Sequence, residues 1–203
     1  MSLFTSSDSW LGEYFELALD LGPKDDDKLR AAWNTLWSSE RLNGIYLHHQ
    51  AEPEDQEKEA AESFVLDNHS AHVYAVAKVS SDISVPAHVI IVREEAGNDW
   101  LYVSFPSEII GEIFKWPPDS YPIGDLAEHL RWMCQIESWF TDLAQEIFAS
   151  VKFEMGLIGF EIAGWPTAES IRRDGVPEKR QIGYLFPENE RLIYFPRTVN
   201  FRG

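Results

Sequence analysis

The chain has 203 residues, 44 % of them hydrophobic, and its eight Trp, seven Tyr and twelve Phe supply enough apolar area for one substantial core. Seventeen Lys and Arg stand against thirty-four Asp and Glu, a formal net charge of −17 that repels nucleic acid and anionic lipid and favours basic partners. A single cysteine, Cys134, excludes an intramolecular disulfide and a cysteine-based zinc cluster.

The opening MSLFTSSDSW has no basic region followed by an apolar run, and no window approaches 18 consecutive apolar residues. The expectation is a soluble, cytoplasmic protein with no membrane partner. Asp8 or Ser9 is placed to cap a first helix through Leu21, with Trp10, Leu11, Tyr14, Phe15, Ala18 and Leu19 on its inner face and Gly22 at its end. A second helix is expected over 23–38, where Asp25, Asp26 and Asp27 complement the macrodipole and Leu29, Ala32, Trp33, Leu36 and Trp37 recur at helical spacing. That aspartate run lacks the alternating ligands and the glycine of an EF-hand loop.

A short strand over 44–50 leads into residues 51–63, which hold six acids and Lys58 alone in opposition, as a charged loop or a solvated helix. Alternating patterns then mark strands over 73–79, 87–94 and 99–105, the last two joined through Ala96-Gly97-Asn98. This is an antiparallel meander, which argues against a parallel nucleotide-binding sheet. Pro106 opens a short helix to Phe114, and the stiff loop 115–122 carries Trp116, Tyr121 and three prolines.

The strongest periodicity lies over 124–151. Leu126, Leu130, Met133, Ile136, Phe140, Leu143, Ile147 and Val151 are spaced by threes and fours, and Trp132, Trp139 and Phe148 widen that face. A strand follows over 153–163, with Gly156 or Gly159 marking a bulge, then a short helix capped by Thr167. A hairpin over 180–196 turns at Pro187-Glu188-Asn189-Glu190. The expected fold is α+β: a single domain with a largely antiparallel sheet, packed against a long central helix with two N-terminal helices.

No GxSxG, Walker or dinucleotide glycine pattern is present, and no catalytic residue is assigned. Asp67, His69 and His72, with His48 or His49, offer nitrogen and oxygen donors without the spacing of HExxH, so neither metal nor cofactor is assigned. His88 sits on the strand face opposite Val89 and Ile91. Cys134, near the edge of the long helix's apolar face, reads as a half-buried thiol.

Charge is unevenly divided. Arg172, Arg173, Lys179, Arg180, Arg191, Arg197 and Arg202 face only four acids in the last 32 residues, so the C-terminal part either neutralises the acidic body or forms an anion-binding patch. Aromatic residues in strands and proline-flanked loops, Trp100, Tyr102, Trp165, Tyr184, Phe186, Tyr194 and Phe195 among them, are mostly core. A few sharing an exposed face with the arginines would give a hot-spot surface.

Two functional expectations follow. The first is a non-catalytic binding protein that steers a basic protein partner with Glu52, Glu54, Asp55, Glu57 and Glu59 and anchors it through Tyr194 and Arg197. In size, acidity and tryptophan content such a chain resembles the immunity proteins that neutralise basic toxins. The second is a small-molecule enzyme or ligand-binding domain with an anion pocket between sheet and central helix, built from His129, Tyr184, Arg180 and Arg197.

Overall fold

The computed structural model describes residues 3–5, 10, 12–63, 71–95, 97–114, 126–162 and 166–199, with backbone alone over 126–132. The strands are β1 (Tyr14–Pro23), β2 (Leu42–Tyr46), β3 (Ala71–Lys78), β4 (Ser84–Arg93), β5 (Asn98–Pro106), β6 (Met155–Phe160), β7 (Gly183–Glu188) and β8 (Arg191–Phe195). The helices are α1 (Asp26–Ser38), α2 (Ser107–Ile113), α3 (Leu126–Ser150) and α4 (Ala168–Asp174). All eight strands join one antiparallel sheet in the order β2-β3-β4-β5-β1-β6-β7-β8, which makes the fold α+β.

The first expected helix is instead the strand at the sheet's centre. Trp10, Tyr14, Phe15, Ala18 and Leu19 fit a helical face, but Phe15, Leu17, Leu19 and Leu21 also alternate, and a short apolar run does not decide between the two. The neighbours decide it: β1 pairs with β5 on one side and β6 on the other, so its backbone groups are satisfied along both edges. One helix, not two, therefore precedes the meander. Gly22 ends no helix. At φ +87° it sits at the register shift that bulges β1 against β5, where a residue without a Cβ is favoured.

α1 starts as its aspartates suggest. The Asp25 side chain accepts from the amides of Asp27 and Lys28, both at 3.0 Å, and Asp26 pairs with Arg93 at 2.8 Å. Arg93 also binds Asp99 at 2.9 Å, with side chains only 4 % and 1 % exposed, a buried pair tying β4 and β5 to the start of α1. α3 runs close to the length expected of it, burying Met133, Ile136, Trp139, Phe140, Leu143, Ala144 and Ile147. With α1 it covers one face of the sheet, where Phe15, Leu17, Leu19, Val73, Val89, Leu101 and Val103 complete the main core.

β6 carries no register shift against β1, so the bulge expected at Gly156 or Gly159 is absent there. Those glycines serve close packing instead. A Cβ at Gly159 would lie 2.5 Å from Ile182 Cγ2, and one at Gly156 would lie 3.0 Å from Leu19 and Leu185 side-chain atoms. The β7–β8 hairpin turns through Asn189 and Glu190 at φ 48° and 65°, the left-handed pair that a two-residue hairpin favours. Among the described residues no helix is long and apolar enough to cross a membrane.

Among the described residues the opposite face of the sheet has two separate covers. Phe4 packs on Tyr46 and Val76 at the β2–β3 side, with Trp10 and Tyr74 against it. Ala168 and Ile171 of α4 pack on Met155, Leu157 and Tyr184 at the β6–β7 side. Between the two lie the second-face residues of β4, β5 and β1.

Candidate functional site

Cross-strand register lines up a polar row on this second face. Tyr74 on β3 stands opposite His88 on β4, His88 opposite Ser104 on β5, Ser104 opposite Glu16 on β1, and Glu16 opposite Gly159 on β6. Directly opposed residues share a face, so four polar side chains cross four strands in one line. The His88 ring stacks on Tyr74 at 5.1 Å with 9° between planes, and His72 stands 5.2 Å from it. Trp10 and His49 close the end of the row, at 4.9 and 5.3 Å from the Tyr74 ring.

The row's electrostatics follow from burial. The His88 imidazole is lowered from 6.5 to about 4, first by desolvation and then by His72 and His49, and its Nε2 is buried with no hydrogen-bond partner. Glu16 accepts from the Ile162 amide at 2.9 Å and from Ser104 Oγ at 3.0 Å. Burial nevertheless holds its carboxyl above the usual range, because those two bonds do not offset desolvation. A serine nucleophile needs its hydroxyl on a base, with the base oriented by a third group. Here Ser104 donates to the carboxylate directly, and His88 takes no part.

Beside this row the face turns aromatic. Ile90 stands opposite Tyr102 and Val92 opposite Trp100, all four half-buried, and the Trp100 and Tyr102 rings stack at 6.0 Å and 26°. The Tyr102 phenol is pushed up to about 12 by burial and then by the charges of Glu16, Glu94 and Asp20.

The acidic segment lies at the β2 edge of the sheet. Its N-terminal end folds as a turn at Pro53–Asp55, and the Glu59 amide donates to the Ile45 carbonyl at 2.9 Å, which covers the outer side of β2. Gln56 Nε2 donates to the carbonyls of His48 and Ala51 at 2.7 and 2.8 Å, locking the segment to the chain after β2. Glu54, Asp55, Glu57 and Glu59 are exposed, and none of the four enters an ion pair among the described residues. Leu47, the exposed large hydrophobic among the described residues at 44 %, is adjacent to His48 in that same locked stretch. Glu52 behaves differently. Its carboxylate accepts from the amides of Leu3, Phe4 and Thr5 and from Thr5 Oγ1, at 2.6 to 3.3 Å, and so holds the N-terminal segment over the sheet.

No protein-family model, curated protein or solved structure matches this chain.

Tyr194 and Arg197 do meet, but around an internal acid. Tyr194 Oη donates to Glu137 Oε2 of α3 at 2.9 Å, and Arg197 Nε lies 3.7 Å from Glu137 Oε1 with its side chain 12 % exposed. Burial raises the Glu137 carboxyl, and the Tyr194 hydrogen bond and Arg197 charge pull it partly back. Tyr184 belongs to the opposite face, in the cluster with Ala18 and Leu157. Arg180 spends its guanidinium on the carbonyls of Pro196 and Pro177 at 2.5 and 2.8 Å. The His129 side chain lies outside the described residues, as do Trp116, Tyr121, Trp165, Asp67 and His69. Tyr184 and Arg197, two of the anion-pocket residues, are thus separated by the sheet.

The C-terminal arginines are largely consumed within the chain. Arg172 pairs with Glu154, Arg173 with Asp174 and Arg197 with Glu137. A polar cleft at the end of α1, lined by Ser38, Ser39, Glu40, Arg41, Lys78 and Glu146, holds Arg41 between Asp142 and Glu146 at 3.1 and 2.8 Å. That cation is already neutralised. Among the described residues no group of three His, Cys, Asp or Glu is placed to hold a metal ion. Cys134, expected half-buried, is exposed on α3.

Sequence reasoning missed the Tyr74–His88–Ser104–Glu16 row. Assigning β1 to a helix removed Glu16 from the sheet, and only the strand register brings Glu16 to Ser104. The alternation of Glu16, Ala18 and Asp20 against Phe15, Leu17, Leu19 and Leu21 was the available signal.

Proposed function

We propose that this chain is a non-catalytic binding protein that captures a basic protein partner, in the manner of immunity proteins that neutralise basic toxins. One observation carries the reading. Glu54, Asp55, Glu57 and Glu59 stand exposed along the covered edge of β2 with no ion pair among the described residues, and Leu47, just past the end of β2, is exposed as well. Carboxylates that satisfied the fold would be paired or bonded, as Glu52, Glu137 and Asp99 are. Those left free on one rim attract a basic surface from a distance, and Leu47 offers it an apolar contact on arrival.

The experiment is affinity capture from native lysate with the folded protein and with a Glu54→Gln, Asp55→Asn, Glu57→Gln, Glu59→Gln variant, at low and high salt, followed by mass spectrometry. A basic protein retained by the natural chain at low salt, released by high salt and missed by the variant supports the reading. Equal retention by both proteins, or retention of acidic proteins alone, overturns it.

A further inference from the structure

His88 is ringed by aromatic side chains. Tyr74 stacks on it at 5.1 Å, His72 stands at 5.2 Å, Tyr14 at 6.2 Å and Trp10 at 6.4 Å, and its Nε2 is buried with no hydrogen-bond partner. A neutral imidazole tolerates such a place. An imidazolium does not, because it carries an N–H on both nitrogens and a charge that needs water or an anion. Among the described residues no carboxylate forms an ion pair with it. Glu16, beyond Ser104, accepts from Ser104 and from the Ile162 amide, and Glu161 accepts from the Tyr14 amide at 3.0 Å. His72 and His49 oppose a further positive charge.

One side of this enclosure differs from the rest. His72 and Tyr74 belong to β3 and Tyr14 to β1, strands with a neighbour on each side, whereas Trp10 lies outside the sheet. Trp10 is joined to Phe4, its Nε1 donating to the Phe4 carbonyl at 2.7 Å, and Tyr14 Oη donates to the Trp10 carbonyl at 2.9 Å. Phe4 is fully buried, edge-on to Trp10 at 5.8 Å and to Tyr46 at 5.4 Å. The Glu52 carboxylate gathers the amides of Leu3, Phe4 and Thr5 and clamps this unit down.

We propose that the N-terminal segment is an acid-released strap: protonation of His88 lifts Trp10 and Phe4 from the second face and uncovers Tyr46, Tyr74 and Val76, while the sheet stays intact. Lifting the strap gives the imidazolium the water that the closed form denies it, and it leaves every ladder between strands in place. The open form binds the proton as an ordinary histidine does, near 6.5, and the closed form resists it down to about 4, so opening gains as pH falls below 6.5.

The test is hydrogen exchange of the whole chain, followed by NMR at about pH 7 and about pH 4.5, with each rate divided by the intrinsic rate at that pH. The opening constant at Leu3, Phe4 and Thr5 is expected to rise about thirty- to hundredfold in acid. Protection of those amides stays below that of Leu17, Val89 and Val103 at both pH values and is insensitive to low urea, the mark of an opening that exposes little surface. The Trp10 indole N–H, bonded to Phe4, follows the strap amides. In His88→Phe, which keeps a ring on Tyr74 and has no proton to take up, the strap's opening constant is expected to change by less than about threefold.

An opening constant that is the same at both pH values in the natural protein overturns the proposal, a result that needs no variant to fold. So do strap and sheet amides that share one protection and one urea slope, because His88 then takes up its proton through global unfolding. A rise that persists undiminished in His88→Phe assigns the release to protonation of Glu52, and the role of His88 falls.

Discussion

Acidification probes the polar row through His88. Its imidazole is held from 6.5 down to about 4, chiefly by burial and secondarily by His72 and His49. Between those limits the unfolded chain binds a proton that the folded chain refuses, so the free energy of unfolding falls as pH falls below 6.5. At about 1.36 kcal/mol per pH unit, the interval from 6.5 to about 4 amounts to about 3 kcal/mol. The groups around the ring are His72 and Tyr74 from β3, Tyr14 from β1, Ser104 opposite it on β5, and Trp10 and His49 from the covering segments, with Glu16 of β1 beyond Ser104. Glu16 acts in the opposite sense. Its carboxyl is raised by burial, so the folded chain takes up that proton more readily and gains stability as pH falls. Substituting His88→Phe isolates the histidine, because phenylalanine keeps a ring to stack on Tyr74 and has no proton to bind. Urea denaturation of both proteins at about pH 7 and about pH 4.5 is expected to show the difference in stability moving toward the variant by about 2 to 3 kcal/mol. Parallel pH dependence in the two proteins would refute the assignment of His88 as a neutral, desolvated member of the row.

The Arg93–Asp99 pair gives a test of the helix-side core. With both side chains nearly inaccessible, Asp99→Asn leaves a buried guanidinium with the exposed Asp26 as its remaining carboxylate partner, and urea denaturation is expected to report a loss of about 3 kcal/mol. Glu52→Gln addresses the N-terminal cover. A neutral amide oxygen accepts the Leu3, Phe4 and Thr5 amides more weakly than a carboxylate, so their hydrogen exchange is expected to quicken by about tenfold. Unchanged exchange at Phe4 and Thr5 would show that Glu52 does not hold that segment down.

The legible parts of the fold were those with a local cause. The α3 stripe from Met133 to Val151 has one period and one partner surface, and the β4–β5 pair carries alternation with a turn between its strands. Thr167 caps α4 through its bond to the Ser170 amide at 3.3 Å, as a threonine before a short helix should. β1 was not legible because its spacing satisfies two periods, and what selects the strand is its contact with β5 and β6, far away in sequence. The glycines of β6 were misread for a related reason. Their space is claimed by Leu19, Ile182 and Leu185 across the sheet, which no local pattern reveals. The acidic residues show the same limit at the site. Glu52 and Glu54 are indistinguishable in the sequence, yet one is bound by four donors of the N-terminal segment and the other is exposed.

That division between spent and unspent charge bears on the kinetics of the proposed partner capture. Free carboxylates act over about a Debye length and raise the rate of encounter with a basic protein, while contributing little once the complex is wet and screened. On the proposed capture of a basic partner, Glu54, Asp55, Glu57 and Glu59 bear on association, so the rate of capture is expected to fall steeply with salt while the rate of release changes little.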